Sequence, residues 1–454
     1  MVKKFICFSF LLSSAWAQGQ TNPAISNWLI NTSNITGRHY VSGNSTPIND
    51  NVQANVQTVQ YSSNFVYVST QGIPAYITGP FLDGNPSLAS AQNAIFKISL
   101  NPVQNTGTPI NTTGGNIGIF INGVALFDYR DGVSWQNATN LLKGGPLGGQ
   151  GDMVWNRDAV VGERLGFDCA KAHPAMGNYH HHQNPSAFNL DLTVISTVCN
   201  LYAADGLYKI DSTKHSPLIG YAYDGFPIYG AYAYKNANGS GGLVRMKSSY
   251  TKRSITTRTL YADGSTVTAG PPVNSTYPIG YFREDYQYNV TTTLTPDYLD
   301  AHNGRFCVTP EYPNGIYCYY ATVDQNWNSA YPYVVGPTFY GTKTAVKVTS
   351  VTEPVSTYSA QLTTGIRSAK NEASAISIFP NPANDFIGIQ LNHLTAETIE
   401  LELYDLSGKL LQTTTLYQGS TVAYFDTRNL YNGTYVISVP GKDGPKKQKV
   451  IVNR

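Results

Sequence analysis

Charge is the first thing this chain is short of. Asp, Glu, Lys and Arg make up 13% of its 454 residues, about half of the usual quarter. A disordered chain would pair high charge with few aromatics, so that class is excluded. A basic surplus is missing too. The formal net charge is +2, and without Lys3 and Lys4 the basic count falls from 30 to 28, equal to the acidic 28. The one basic cluster, residues 442–449, is short and terminal, which excludes a nucleic-acid footprint. Past residue 17 no apolar run approaches the roughly 18 residues of a membrane-spanning helix. Three catalytic signatures are also lacking: a Gly-x-Ser-x-Gly elbow, a His-Glu-x-x-His helix, and a glycine-rich phosphate loop with its lysine.

What is present is polar without charge. Tyrosine contributes 33 residues and glycine 41, and Thr, Asn and Ser are dense throughout. That is a β-rich, turn-rich, secreted composition. The length suits two or three domains. Residues 1–17 read as a secretory leader, with Lys3 and Lys4 ahead of an apolar run and Ala15-Trp16-Ala17 at the cleavage position. The leader takes Cys7 with it, leaving Cys169, Cys199, Cys307 and Cys318. An even count on an oxidising route predicts two disulfides. Sequence proximity favours Cys169–Cys199 and Cys307–Cys318, the second pair bracketing the turn Tyr312-Pro313-Asn314-Gly315.

Strand-like runs with turn dipeptides recur from residue 28 onward, and no long 3.6-residue pattern interrupts them. One hairpin is echoed. Residues 117–127, turning at Asn122-Gly123, match residues 219–229, turning at Asp224-Gly225, and residues 312–323 form a weaker third relative. Such turns between strands are a strong hairpin signal. A duplicated half-domain and a common hairpin solution both account for the echo. The expected fold is mainly β: a large β-rich domain over residues 18–348, a Ser/Thr/Ala-rich linker over 349–374, and a small Ig-like β-sandwich over 375–454 built from seven short alternating strands.

Residues 167–188 crowd ligand-type side chains together, holding four of the eight histidines. On a strand, side chains at i and i+2 share a face, with Cα atoms about 6.5–7 Å apart. His180 and His182 can therefore meet one ion while His181 points away, so His181→Ala is expected to be mild. His173 folds back across Gly177-Asn178, and His215 is a fourth candidate. Three or four imidazoles suit Zn²⁺ or Cu²⁺. Asp168, Asp224 and Asp300 are candidates to orient the ligand rings. A metal-free buried network and an exposed polar loop are the competing readings. Arg305 and Glu311 are expected to pair. A non-catalytic module that binds glycan or protein through Tyr286, Tyr288, Trp327 and Tyr331 is the alternative function.

Two resemblances add to this. The residues Phe379-Pro380-Asn381-Pro382-Ala383, Tyr404-Asp405-Leu406-Ser407-Gly408-Lys409, Leu430-Tyr431-Asn432-Gly433-Thr434-Tyr435 and Lys449-Val450-Ile451-Val452 make the C-terminal segment resemble the type A sorting domain of the type IX secretion system. That resemblance implies the secretion machinery as partner and delivery to the outer-membrane surface or the extracellular space. There the domain is removed or the protein attached. The preceding region resembles the YHYH family, carried by Tyr179-His180-His181-His182, with His181 where the family has its second Tyr. Asp168-Cys169, His173-Pro174, His215-Ser216-Pro217, Asp224-Gly225, Leu299-Asp300 and Asn303-Gly304-Arg305 fit the same pattern. The resemblance assigns no reaction, and the substrate or ligand stays open.

Overall fold

The computed structural model describes residues 22–82, 87–145, 150–186, 206–290, 295–344, 346–359, 376–379, 381–391, 395, 397–406, 408–418, 420–440 and 445–453. The expected leader, residues 360–374 of the expected linker and residue 375 lie outside them, as does Cys199.

Alternation builds the first sheet. Phe65-Val66-Tyr67-Val68 buries Val66 and Val68 completely, and the strand Phe65–Thr70 sits at the centre of five. The order is Val346–Val348, Ala94–Ser99, Phe65–Thr70, Val56–Tyr61, Ser356–Tyr358. The last of these falls inside the segment expected to be linker and pairs antiparallel with Val56–Tyr61. Only two short α-helices, Pro23–Ser26 and Ala159–Gly162, occur among the described residues.

The central sheet has eight strands: β1 (Asn116–Phe120), β2 (Ala125–Phe127), β3 (Ala172–Ala175), β4 (Asn178–His181), β5 (Leu218–Ala222), β6 (Pro227–Tyr229), β7 (Gly304–Cys307) and β8 (Ile316–Tyr320). Their spatial order is β3-β4-β2-β1-β5-β6-β8-β7. Read outward from the β1/β5 seam, the two halves repeat. In each, a hairpin (β1–β2 or β5–β6) is followed by a parallel neighbour (β4 or β8) and then by that neighbour's hairpin partner (β3 or β7). At the seam Gly118 and Gly220 face backbone so closely that a Cβ would lie 2.8 Å from the Tyr221 carbonyl oxygen and 2.5 Å from that of Ile119. The echoed glycines are what let the halves meet. The third relative seen in the sequence is β8, the counterpart of β4 and not of β1.

The repetition reaches the loops. Leu126 is paired with His181 and its counterpart Ile228 with Tyr319, so Tyr179-His180-His181-His182 matches Tyr317-Cys318-Tyr319-Tyr320. Five residues before the β3 and β7 positions that oppose this motif stand Asp168 and Asp300. Each accepts a tyrosine hydroxyl, from Tyr179 and Tyr317, and each takes backbone N–H groups of its own loop. Lys171 and Asn303, again equivalent, share a positive φ of 65° and 68°.

One apolar core lies between the two sheets, joining Val59, Val66 and Phe96 to Ile119, Tyr221 and Tyr319. The C-terminal domain is a separate sandwich. Ile376–Phe379, Phe386–Leu391 and Val422–Asp426 face a second sheet of Leu410–Leu416, Ile399–Tyr404, Gly433–Val439 and Lys446–Val452. Ile387, Ile389, Leu401, Leu403, Ile437 and Val450 fill it.

The expected Cys307–Cys318 disulfide is not formed, and both are free, buried thiols. The hairpin closes as the turn predicts, but its register sets Cys307 opposite Ile316 and Cys318 opposite Arg305. The cysteines are therefore diagonal neighbours and not directly opposed across the hairpin, a placement less suited to the narrow geometry of a disulfide. Cys169 is buried and disulfide-bonded. Its pairing with Cys199 stays an expectation.

Candidate metal centre

Parity places the histidines. In the β3–β4 hairpin His173 lies directly opposite His180, and His182 follows two residues on, so three imidazoles share one face. His181 faces the other way, where the Tyr76 hydroxyl lies 2.8 Å from its Nε2. All three inward rings are buried, and one nitrogen from each lies within 4.8 Å of the others.

The rings are held in one orientation. His180 Nδ1 lies 2.8 Å from the Asn178 carbonyl oxygen and His182 Nδ1 2.6 Å from that of Asp128. A carbonyl only accepts, so both Nδ1 atoms carry the proton and both Nε2 atoms present a lone pair. Those two Nε2 atoms are 3.0 Å apart. Phe127 stacks on His180 at 3.8 Å, and Phe167 packs its edge against His173 at 5.0 Å between centroids.

Glu163 completes the cluster. It caps the helix Ala159–Gly162, and its Oε2 lies 3.2 Å from His173 Nε2 and 3.3 Å from His182 Nε2. Neither contact aligns as a hydrogen bond: Glu163 Oε2 and both nitrogens of His173 are buried without a partner. For a tetrahedral ion with bonds of about 2.0–2.1 Å, donors stand roughly 3.3 Å from one another; the His180–His182 contact and the two Glu163 contacts are close to that, while the group that converges as a whole is the three histidines. Sequence reasoning missed Glu163 because it lies ten residues before His173 in no recognisable pattern. The only signal was a carboxylate close upstream of the cluster.

Electrostatics follow from burial and neighbours. Burial, then the adjacent His182 and His173, drives His180 far below its ordinary range, so it is a neutral donor. Burial pulls His182 down as well, but Glu163 more than offsets this and the net shift is upward. Burial pushes Glu163 up, yet His173 and His182 outweigh it and hold the carboxyl well below the usual range. The arrangement can take a metal ion, or one proton shared between His180 and His182 with Glu163 as counter-charge.

The other expected residues do different work. His215 sits in the opposite half of the sheet, edge-on to Tyr229 and against Tyr234, with Nδ1 2.8 Å from the Ser216 carbonyl. Asp168 serves its loop and Tyr179, not a histidine ring. Asp224 takes the Tyr319 hydroxyl at 2.6 Å and the Gly341 amide, and Asp300 takes Tyr317. Backbone carbonyls do the orienting assigned to these carboxylates. Tyr286 and Tyr331 stack on each other at 3.9 Å, and Trp327 donates to the Tyr232 hydroxyl, so these rings spend their faces or edges internally.

Compared with known proteins, residues 95–332 match the family model described as YHYH protein. Residues 377–453 match the secretion system C-terminal sorting domain. No curated protein matches the chain.

Proposed function

This chain belongs to the YHYH protein family, and from that premise we infer that it is a metal-binding protein of the cell exterior. Its sorting domain sends it to the outer-membrane surface or the extracellular space, and no described helix is long and apolar enough to cross a membrane. The ligands are His173, His180, His182 and Glu163, and the ion is a divalent transition metal, with Zn²⁺ and Cu²⁺ suited to three imidazoles and a carboxylate.

One observation carries the reading. Two Nε2 lone pairs face each other at 3.0 Å beside a histidine with both nitrogens unpartnered and a carboxylate oxygen in the same state. Buried polar atoms are rarely left so. A cation among the three rings satisfies His180, His182 and His173 together, with the Glu163 carboxylate beside two of them, where a proton satisfies only one contact.

The test is elemental analysis of untagged protein purified without chelator. One equivalent of transition metal is expected, falling to background in the His180→Ala, His182→Ala double variant. A wild-type protein that stays metal-free after incubation with Zn²⁺ and with Cu²⁺ would falsify the reading and leave the proton-bridged network.

A further inference from the structure

The repeated sheet sets a second group of side chains where the first half carries its histidines. Arg305 stands at the position of His173, Cys318 at that of His180, and Tyr320 at that of His182. Cys307, two residues after Arg305, shares the face. We propose that Cys307 and Cys318 form a second metal site, for a soft monovalent cation, copper(I), held between the two sulfurs.

Donor count selects the ion. Among the described residues no third His, Cys, Asp or Glu atom converges with the two sulfurs, so a four-coordinate divalent ion lacks ligands. Two thiolates and nothing else suit a soft d¹⁰ ion. The diagonal register sets the two free sulfurs side by side on one face of the hairpin without joining them. Both sulfurs are fully buried, which keeps water from competing.

Charge also closes. The Tyr320 hydroxyl lies 3.0 Å from Cys307 Sγ, and the Arg305 guanidinium lies over the Tyr320 ring at 5.9 Å. Arg305 does not pair with Glu311. It donates to the carbonyls of Tyr234, Lys235 and Pro296, while Glu311 accepts from the Tyr229 hydroxyl. The guanidinium charge is thus free of a carboxylate and offsets the single negative charge of a copper(I) bis-thiolate. The hydrogen bond from Cys318 foremost, with Tyr320 and Arg305 behind it, lowers the Cys307 thiol to about 6, and burial raises Cys318 far above the usual range. Binding takes Cu⁺ onto both sulfurs as thiolates, and each thiol that binds gives up its proton to solvent. β7 is the outer strand of the sheet, paired on one side only, so local opening there gives the ion a path.

The site is independent of the histidine centre, and its test separates the two. Reduced full-length protein is titrated anaerobically with copper(I) against a chromogenic copper(I) chelator. In the His180→Ala, His182→Ala background one equivalent is expected, with a thiolate-to-copper charge-transfer band in the ultraviolet. Cys307→Ser and Cys318→Ser in that background should each lose the band and weaken binding at least 100-fold. Unchanged stoichiometry in both cysteine variants would overturn the proposal. If either variant fails to fold, the His180→Ala, His182→Ala protein decides alone, and absence of the band rejects the site. Failure to alkylate residues 307 and 318 in denatured, never-reduced protein would also reject it, in favour of a disulfide.

Discussion

The two halves of the central sheet share a backbone plan and differ in what they mount on it. Both use an Asp-to-Tyr bond, Asp168 with Tyr179 and Asp300 with Tyr317, and both place a residue at positive φ before the outer hairpin. One half then presents His173, His180 and His182. The other presents Arg305, Cys318 and Tyr320. The scaffold's stability therefore rests on the shared aspartate, tyrosine and glycine positions, and its chemistry on three positions free to vary. Each prediction below breaks one of those groups and asks whether the other responds.

The largest effect is expected at the histidine centre. If the ion is present at about a thousandfold its dissociation constant, it contributes on the order of 4 kcal/mol. Chelation should then lower the melting temperature by roughly 5–10 °C, and the His180→Ala, His182→Ala variant should no longer respond to chelator. A variant that still shifts on chelation would place the ion elsewhere.

Next comes the opposite face of the same strand. His181 is fully buried and bonded to Tyr76, so the mild effect expected from sequence gives way to a structural one. His181→Ala leaves a cavity and removes a buried hydrogen bond, costing about 2–4 kcal/mol, while metal content stays at the wild-type level. Denaturant melts beside elemental analysis read both, and loss of metal in this variant would contradict the parity argument.

Two buried aspartates give a pH prediction. Burial raises Asp168 to about 7 and Asp224 to about 6. A folded-state value above the unfolded one means the native state holds the extra proton between about pH 4 and 7. Stability is then full below pH 4 for these groups and falls as pH rises to 7. Asp168→Asn should flatten part of that slope, a change on the order of 2 kcal/mol. A melting temperature that rises from pH 5 to pH 8 in both proteins would reverse the assigned sign.

The smallest pair sits at the tip of the β3–β4 hairpin. Met176 is 91% exposed, and Met176→Ala should stay within about 0.5 kcal/mol of wild type. Its neighbour Gly177 has φ of 81°, and a Cβ there would fall 1.9 Å from Ser90 Oγ. Gly177→Ala should cost roughly 1–3 kcal/mol and loosen the hairpin that sets His173 against His180. Thermal melts of the two variants side by side decide this.

Much of this was legible beforehand because period-two alternation and turn dipeptides are local. The seven strands of the C-terminal sandwich, the echoed hairpins and the shared face of His180 and His182 all follow from neighbours in sequence. What escaped depends on register between distant strands or on loop geometry. Two cysteines flanking a turn look like a disulfide until the register makes them diagonal. Asp168, Asp224 and Asp300 look like ring orienters until tyrosines and backbone amides claim them. Glu163 reaches the centre from a helix end that no periodicity ties to the hairpin.

That helix end has a kinetic meaning. The side chains of His173 and His182 are 8% and 2% exposed, whereas that of Glu163 is 23% exposed. An ion seated among them has its imidazoles locked to the sheet, His180 and His182 by backbone carbonyls, and a single donor that can swing toward solvent. Exchange with the medium would run through that carboxylate. Glu163 would then set how long an ion stays, while the histidines set how tightly it is held, and the two properties could change independently within one fold.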